Sequence, residues 1–447
     1  MNILFINPPL YTFYNFHNTH QYAMYMYNLA TKYKVAGDAV KIVDMHPELA
    51  FNPKVSSIDG NIQYEGKSLV SDAGMVKECG NFDMERLVKP VIRSGLPKSV
   101  LEKELIDNKF DRIIICDMGS KSDISSSTSY YSDLGISEVM GIVKNSGYTG
   151  EILVSGKYSK IFKDISGYNR FYDNECELID TDLGLIPYRP RRIGVETSLG
   201  CQNNCFFCFV RSLEGEVTVH KSVDAVETFI DYVVSRGYKK IRFMDSDVLS
   251  CWDSHTKEIF DRIIAKNYNL SVSSYGGYEP SSVTDEIMEK SLAIGFKDIV
   301  LPLDNCDSST LSFWGGSKSV EAWKKAIGIA QKYFKNISSY IMIGYPGQTK
   351  ENLTESISLC LDMGVNPALL PFTPLDGTGY EDNSMPPDKK HPLLFPYAWD
   401  RLTVFDIEYF LVKYNTWYEK STVKVGDGPN IYRTTGEAIP INGADNG

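Results

Sequence analysis

Twice along this chain, short apolar segments alternate with amphipathic segments of helix length, and a proline-flanked joint separates the two series. A strand followed by a helix and another strand closes most readily as a parallel pair, so each series points to an α/β unit. In the first series, strands are expected at Ile3–Ile6, Val40–Val43, Arg112–Cys116 and Glu151–Val154, with a short edge strand at Phe171–Tyr172. Helices are expected at Gln21–Tyr33 and Ser137–Asn145. Turn residues follow each strand, as in a doubly wound Rossmann-like domain, here over residues 1–182. Residues 47–100 break the pattern: Gly, Ser, Asp, Asn and Pro are frequent and periodicity is weak, which reads as an insertion with one helix.

Pro187–Pro190 reads as the linker. The second series, residues 183–390, has strands expected near Ile193–Thr197, Lys240–Met244, Leu270–Ser273, Asp298–Leu303, Ser339–Ile343 and Ala368–Phe372. Helical stretches at Val223–Ser235, Thr256–Lys266, Val283–Ile294, Val320–Phe334 and Lys350–Met363 lie between them. Six such units fit an open, partial (β/α)6 barrel better than a closed eightfold one. Residues 391–447 form a mixed C-terminal extension with a helix expected at Leu402–Tyr414.

Bulk properties narrow the function. A net charge of −11 repels phosphate backbones, which disfavours nucleic acid as a partner, although Arg189–Pro190–Arg191–Arg192 is a local basic run. No apolar stretch reaches the roughly 18 residues of a membrane span. The opening MNILFINPPL is too short and too poor in basic residues for a signal peptide, so a cytoplasmic location is expected. An odd count of cysteines, 9, argues against a disulfide framework.

Three of those cysteines fall together. In Gly200–Cys201–Gln202–Asn203–Asn204–Cys205–Phe206–Phe207–Cys208, the thiols are four and three residues apart, directly after the first expected barrel strand. Barrel active sites lie at that end of the strands. Three thiolates on one loop can hold three corners of an iron–sulfur cube and leave the fourth iron open for chemistry. A zinc knuckle would want a fourth Cys or His, and none lies between Cys208 and His220.

CxxxCxxC with an aromatic before the last Cys resembles the radical S-adenosylmethionine (SAM) superfamily, and the agreement continues for about 180 residues. Gly344–Tyr345–Pro346–Gly347–Gln348–Thr349 resembles that family's GxPGET turn, and Thr373–Pro374–Leu375–Asp376–Gly377–Thr378 its TPxPGT turn. The resemblance implies a [4Fe–4S] cluster on Cys201, Cys205 and Cys208, SAM on the open iron, reductive cleavage of a C–S bond, and an external electron donor of flavodoxin or ferredoxin type. It places Phe207 near the adenine, Asp245 or Asp247 at the SAM amino group, Ser273 or Ser274 at the carboxylate, and Asp304 at the ribose. Tyr278 and Tyr345, at expected strand ends, are candidates for lining the substrate pocket or passing a hydrogen atom. Cys306 is a candidate hydrogen-atom donor, with a plain buried thiol as the other reading. The substrate is expected to be a small molecule or a peptide.

The doubly wound domain ahead of this barrel resembles the cobalamin-dependent subgroup, with ILFINPP and Ser155–Gly156 carrying the likeness. The pattern is degenerate. No DxHxxG motif is present, the first loop reading Asn15–Phe16–His17–Asn18–Thr19–His20. Ser155–Gly156 replaces a glycine pair, and Asn174–Glu175–Cys176–Glu177 replaces a GEGE run. Those glycines would let the backbone approach a corrin ring. Two readings follow: the domain is a scaffold or substrate wall for radical chemistry, or it binds cobalamin for methyl transfer to an unactivated carbon. A tRNA methylthiotransferase is a further alternative. It would need cluster ligands among Cys79, Cys116 and Cys176 and a basic tail, which this chain lacks. A non-enzymatic iron–sulfur protein or cobalamin carrier is a fourth.

Overall fold

The computed structural model describes residues 1–12, 23–45, 61–64, 67–70, 74–75, 92–94, 96–116, 129–156 and 169–372. Within the last span, 191, 209, 250–251, 275 and 316–317 are excepted, and beyond it only 379, 402, 406, 410 and 414 are described. The expectations for His17, His20, Cys79, the Thr373–Thr378 turn and most of the Leu402–Tyr414 helix lie outside the described residues.

Five parallel strands form the N-terminal sheet: β1 (Asn2–Asn7), β2 (Ala39–Asp44), β3 (Arg112–Cys116), β4 (Glu151–Ser155) and β5 (Arg170–Phe171), in the order β5-β4-β3-β1-β2. This is a doubly wound order with its switch point between β1 and β3. Helices α1 (Met24–Val35), α2 (Lys98–Asp107) and α3 (Ser129–Asn145) cover it. Alternate residues of a strand face opposite sides. Ile3, Phe5 and Ile114 accordingly join α1 and the barrel in one apolar core, while Leu4, Ile6, Ile113 and Ile115 join the α2 and α3 side in another. Because both faces are covered, these strands read as continuous apolar runs. The helix expected at Ser137–Asn145 begins at Ser129, and the insertion holds four short strands before α2. One of them, Ile92–Ser94, pairs with Leu10–Thr12 immediately beyond β1.

The second unit is a partial barrel in two parallel halves. β6 (Ile193–Val195), β7 (Lys240–Phe243) and β8 (Ser271–Ser274) form one. β9 (Asp298–Val300), β10 (Asn336–Ile343) and β11 (Asn366–Pro371) form the other. A parallel bridge from Val272 to Phe296, and the bond from the Tyr278 amide to the Val300 carbonyl at 2.8 Å, join them. Outside lie α4 (Val223–Ser235), α5 (Lys257–Lys266), α6 (Asp285–Ile294), α7 (Ser308–Trp314), α8 (Val320–Ala330) and α9 (Lys350–Asp362). Side-chain caps begin most of them: Ser222, Thr284, Asp307, Ser319 and Thr349 each accept from a first-turn amide.

The two units share buried polar contacts as well as a core. Asp44, wholly buried at the end of β2, accepts from Asn7 Nδ2 (2.7 Å), Tyr27 OH (2.9 Å) and, across the linker, Tyr188 OH (3.1 Å). Lys221 pairs with Asp180 at 2.6 Å.

Candidate active site

The cysteine loop begins where β6 ends. Ser198–Leu199 pairs antiparallel with Val219–His220, so residues 200–218 form a closed excursion. Gly200 has φ +98°, and a Cβ there would lie 2.5 Å from the Val217 carbonyl oxygen, so only glycine fits. The Gly200→Ala variant is expected to lose about 1–3 kcal/mol of local stability from left-handed strain alone, before that clash is relieved. Its measurable result is less iron bound per chain after anaerobic reconstitution.

Backbone bonds sew the loop to its surroundings. Cys201 N donates to Gly215 O (3.2 Å), Phe206 N to Trp314 O (2.8 Å), and Gly379 N to Phe206 O (2.7 Å). Cys208 N bonds Cys205 O at 3.0 Å, a turn that brings these two residues together. All three cysteines are half-buried and in no disulfide. Burial pushes the Cys205 thiol up to about 11, with Lys318 opposing and Asp304 and Cys201 adding smaller effects. Burial pushes Cys208 up to about 12, with Cys205 and Cys201 adding to it. The charged forms of these buried thiols need a nearby positive charge. Among the described residues, no three His, Cys, Asp or Glu side chains converge as a single ion would require. Thiolates that each bond a different iron of a cube need not converge, so this loop fits three corners of a [4Fe–4S] cluster.

Around the loop, Phe207 packs edge-on against Trp314 with centroids 5.1 Å apart, and the Lys318 ammonium lies 5.3 Å from its ring centre. Asp245 follows β7 and is almost wholly buried. Its Oδ1 accepts from Thr197 N (3.2 Å), Thr197 Oγ1 (2.7 Å) and Ser198 Oγ (2.6 Å), while its buried Oδ2 has no hydrogen-bond partner. An orphaned carboxylate oxygen at this strand end suits an ammonium group. Asp247 accepts from Asn203 Nδ2 of the cysteine loop (3.1 Å) and from Leu249 N (3.2 Å). Burial pushes its carboxyl up to about 6. Ser273 pairs with Arg242 in strand register and is half-buried. Ser274 Oγ donates to Gly276 O at 2.7 Å and so shapes the turn after β8. Asp304 sits at φ +59° and pairs with Lys318.

The three further sequence candidates have partners of their own. Tyr278 is fully buried; its hydroxyl meets Ser291 Oγ of α6 at 3.1 Å and its ring packs beside Phe296. The Tyr345 hydroxyl lies between Asn305 and Asn352, 2.9 Å from Asn352 Oδ1. Cys306 Sγ lies 4.0 Å from Asn352 O, and its amide donates to Ser356 Oγ at 3.1 Å, both on α9. Tyr278 and Cys306 thus contact α6 and α9, whereas the Tyr345 ring packs on Trp314 at 4.8 Å, and Trp314 packs on Phe207. Lys318 and the Thr197–Ser198 pair are the residues sequence reasoning missed. Lys318 stands alone in an irregular segment and Thr197–Ser198 looks like an ordinary turn, so neither carries a periodic signal.

Comparison with known proteins agrees with this site. Residues 195–360 match the family model described as the Radical SAM superfamily. A tRNA-2-methylthio-N(6)-dimethylallyladenosine synthase of Clostridium perfringens (strain SM101) is 26% identical over 210 residues, 43% of this chain and 45% of that protein. The ribosomal protein uS12 methylthiotransferase RimO of Leptospira biflexa is 24% identical over 242 residues, 50% of this chain and 53% of that protein. The chain thus spans about half the length of these curated relatives. Among solved structures, the radical SAM methyltransferase TsrM from Kitasatospora setae, with tryptophan and a SAM analogue bound, superposes with TM-score 0.60 at 12% identity, covering 85% of this chain and 75% of that one. The cobalamin-dependent radical SAM enzyme OxsB, with aqua-cobalamin bound, gives TM-score 0.53 at 14% identity, covering 91% of this chain and 57% of that one. At such identities the likeness is one of fold, and it extends over both units. Residues 195–360 are a radical SAM domain.

Proposed function

We propose that this enzyme holds a [4Fe–4S] cluster on Cys201, Cys205 and Cys208, cleaves SAM reductively, and carries out radical chemistry on a small molecule or a peptide. In this reading the N-terminal domain is a scaffold and substrate wall. The observation that carries it is the loop of three half-buried cysteines beyond β6, its Cys205–Cys208 turn closed by a 3.0 Å backbone bond and pinned by Phe206 to α7. When bound, the cluster supplies the single electron that breaks a C–S bond of SAM, received from an external donor of flavodoxin or ferredoxin type. The chain's own part is placement. Asp245 Oδ2 accepts the SAM ammonium, Phe207 walls the adenine side, and the Asp247–Asn203 bond steadies the loop. Phe207 packs on the buried Trp314, and Phe206 on the exposed Phe313.

The N-terminal domain supports the wall reading at its own strand ends. Ser155, fully buried where a glycine pair would admit a corrin, bonds Tyr25 OH at 2.8 Å. The Tyr25 ring stacks on Tyr172 at 5.6 Å, and Tyr25 OH also accepts from Asp173 N at 3.2 Å. Cys116 and Cys176 are buried alongside. These side chains take up the room a corrin tail would need, so the fit to cobalamin is poor. Anaerobic purification with excess hydroxocobalamin, then desalting, is expected to leave no corrin absorbance on the protein. Stoichiometric corrin would favour the second reading, cobalamin-dependent methyl transfer, which the sheet order and the likeness to TsrM and OxsB support.

A further inference from the structure

Lys318 lies outside the motifs that define the site, yet it is built into it. Its side chain is only 14% exposed and that of its partner Asp304 only 9%. The Asp304 backbone is locked into β10: its amide donates to Tyr340 O (2.8 Å) and its carbonyl accepts from Met342 N (2.9 Å). A positive φ at a residue other than glycine is strained, so the position of this carboxylate is imposed by the fold. Lys318 arrives from the segment after α7, whose Trp314 carbonyl holds Phe206 and whose Gly315 lies against Asn204 O. The cation and the cysteine loop are therefore fixed by the same stretch of chain. The Lys318 ammonium lies 5.3 Å from the centre of the Phe207 ring, and Phe207 sits within the turn closed between Cys205 and Cys208.

We propose that the Lys318 ammonium, clamped between the Asp304 carboxylate and the Phe207 ring, is a fixed positive charge that raises the reduction potential of the cluster; this rests on the three cysteines holding that cluster. A cube on three thiolates carries negative charge and gains more on taking up one electron from an external reductant. A buried cation beside it favours the reduced form, because burial weakens screening. Asp304 opposes that effect, so removing either partner should move the potential in opposite directions.

The test is an EPR-monitored redox titration with dithionite of anaerobically reconstituted protein, without SAM. Lys318→Met should shift the potential to more negative values, Asp304→Asn to more positive values, and Lys318→Arg should stay at the wild-type value. An unchanged potential in fully loaded Lys318→Met overturns the proposal. So does Asp304→Asn moving in the same direction as Lys318→Met, the sign of a merely disturbed loop. If Lys318→Met takes up no iron, a positive shift in Asp304→Asn with an unmoved Lys318→Arg supports the proposal, and any other pair of results overturns it. Wild-type protein that takes up no iron would instead fail the cluster reading on which this rests.

Discussion

Cys205→Ala is expected to abolish the charge-transfer absorbance of the reconstituted protein and SAM cleavage together, while the fold persists. Three thiolates account for three irons of a cube, and losing the middle one leaves only two ligands on the loop. Among the described residues, no third Cys or His stands ready beside Cys201 and Cys208 to replace it. Cys205→Ser should fail as well, because a hydroxyl is a poor substitute for a soft thiolate on iron. The unfolding cost should be small, roughly 1 kcal/mol, since the apoprotein loses only a half-buried, neutral sulfur. Far-UV circular dichroism and a thermal melt close to wild type would then separate loss of the cluster from loss of the fold. SAM cleavage retained by Cys205→Ala would falsify the assignment of these cysteines.

Much of this arrangement was legible in the residues because it follows from short-range rules. Strand and helix alternation needs only apolar periodicity and turn residues, and the parallel sheets appear where those signals lie. The cysteine loop is a local spacing, and Gly200 ahead of it is a local demand for a left-handed backbone. What stayed hidden depends on direction and distance. Tyr278, Tyr345 and Cys306 lie near strand ends, as the alternation indicated. Just past a strand the alternation of faces lapses, and turns such as that at Asp304 decide where side chains aim. Lys318 reaches Asp304 across a short helix and a glycine turn, a pairing with no repeat to announce it. The short strands of the insertion, which lie outside the five-stranded sheet, went unseen because two to four residues leave too little pattern to separate from loop.

Substitutions of Asp245 should divide its two oxygens into two functions. Oδ1 is the shared acceptor of Thr197 N, Thr197 Oγ1 and Ser198 Oγ, and so ties the end of β7 to the entry of the cysteine loop. Oδ2 is buried and without a partner, which is costly unless something positive completes it. In Asp245→Asn the three donors select the amide oxygen for the Oδ1 place, which sets an NH2 group where the second oxygen was. The strap then survives, and iron content should stay near wild type. An amide nitrogen cannot accept from an ammonium, however, so SAM should bind roughly ten- to a hundredfold more weakly, the worth of one hydrogen bond to a charged group. Asp245→Ala removes both oxygens and leaves three buried donors unsatisfied, at about 1–3 kcal/mol each. Cluster loading and SAM binding should fall together in that variant. Equilibrium binding of SAM to reconstituted protein, read beside iron content, distinguishes these outcomes. Wild-type SAM affinity in Asp245→Asn would remove this carboxylate from the SAM site and leave it a strap alone, whereas weakened binding at full iron content assigns the second oxygen to the ligand.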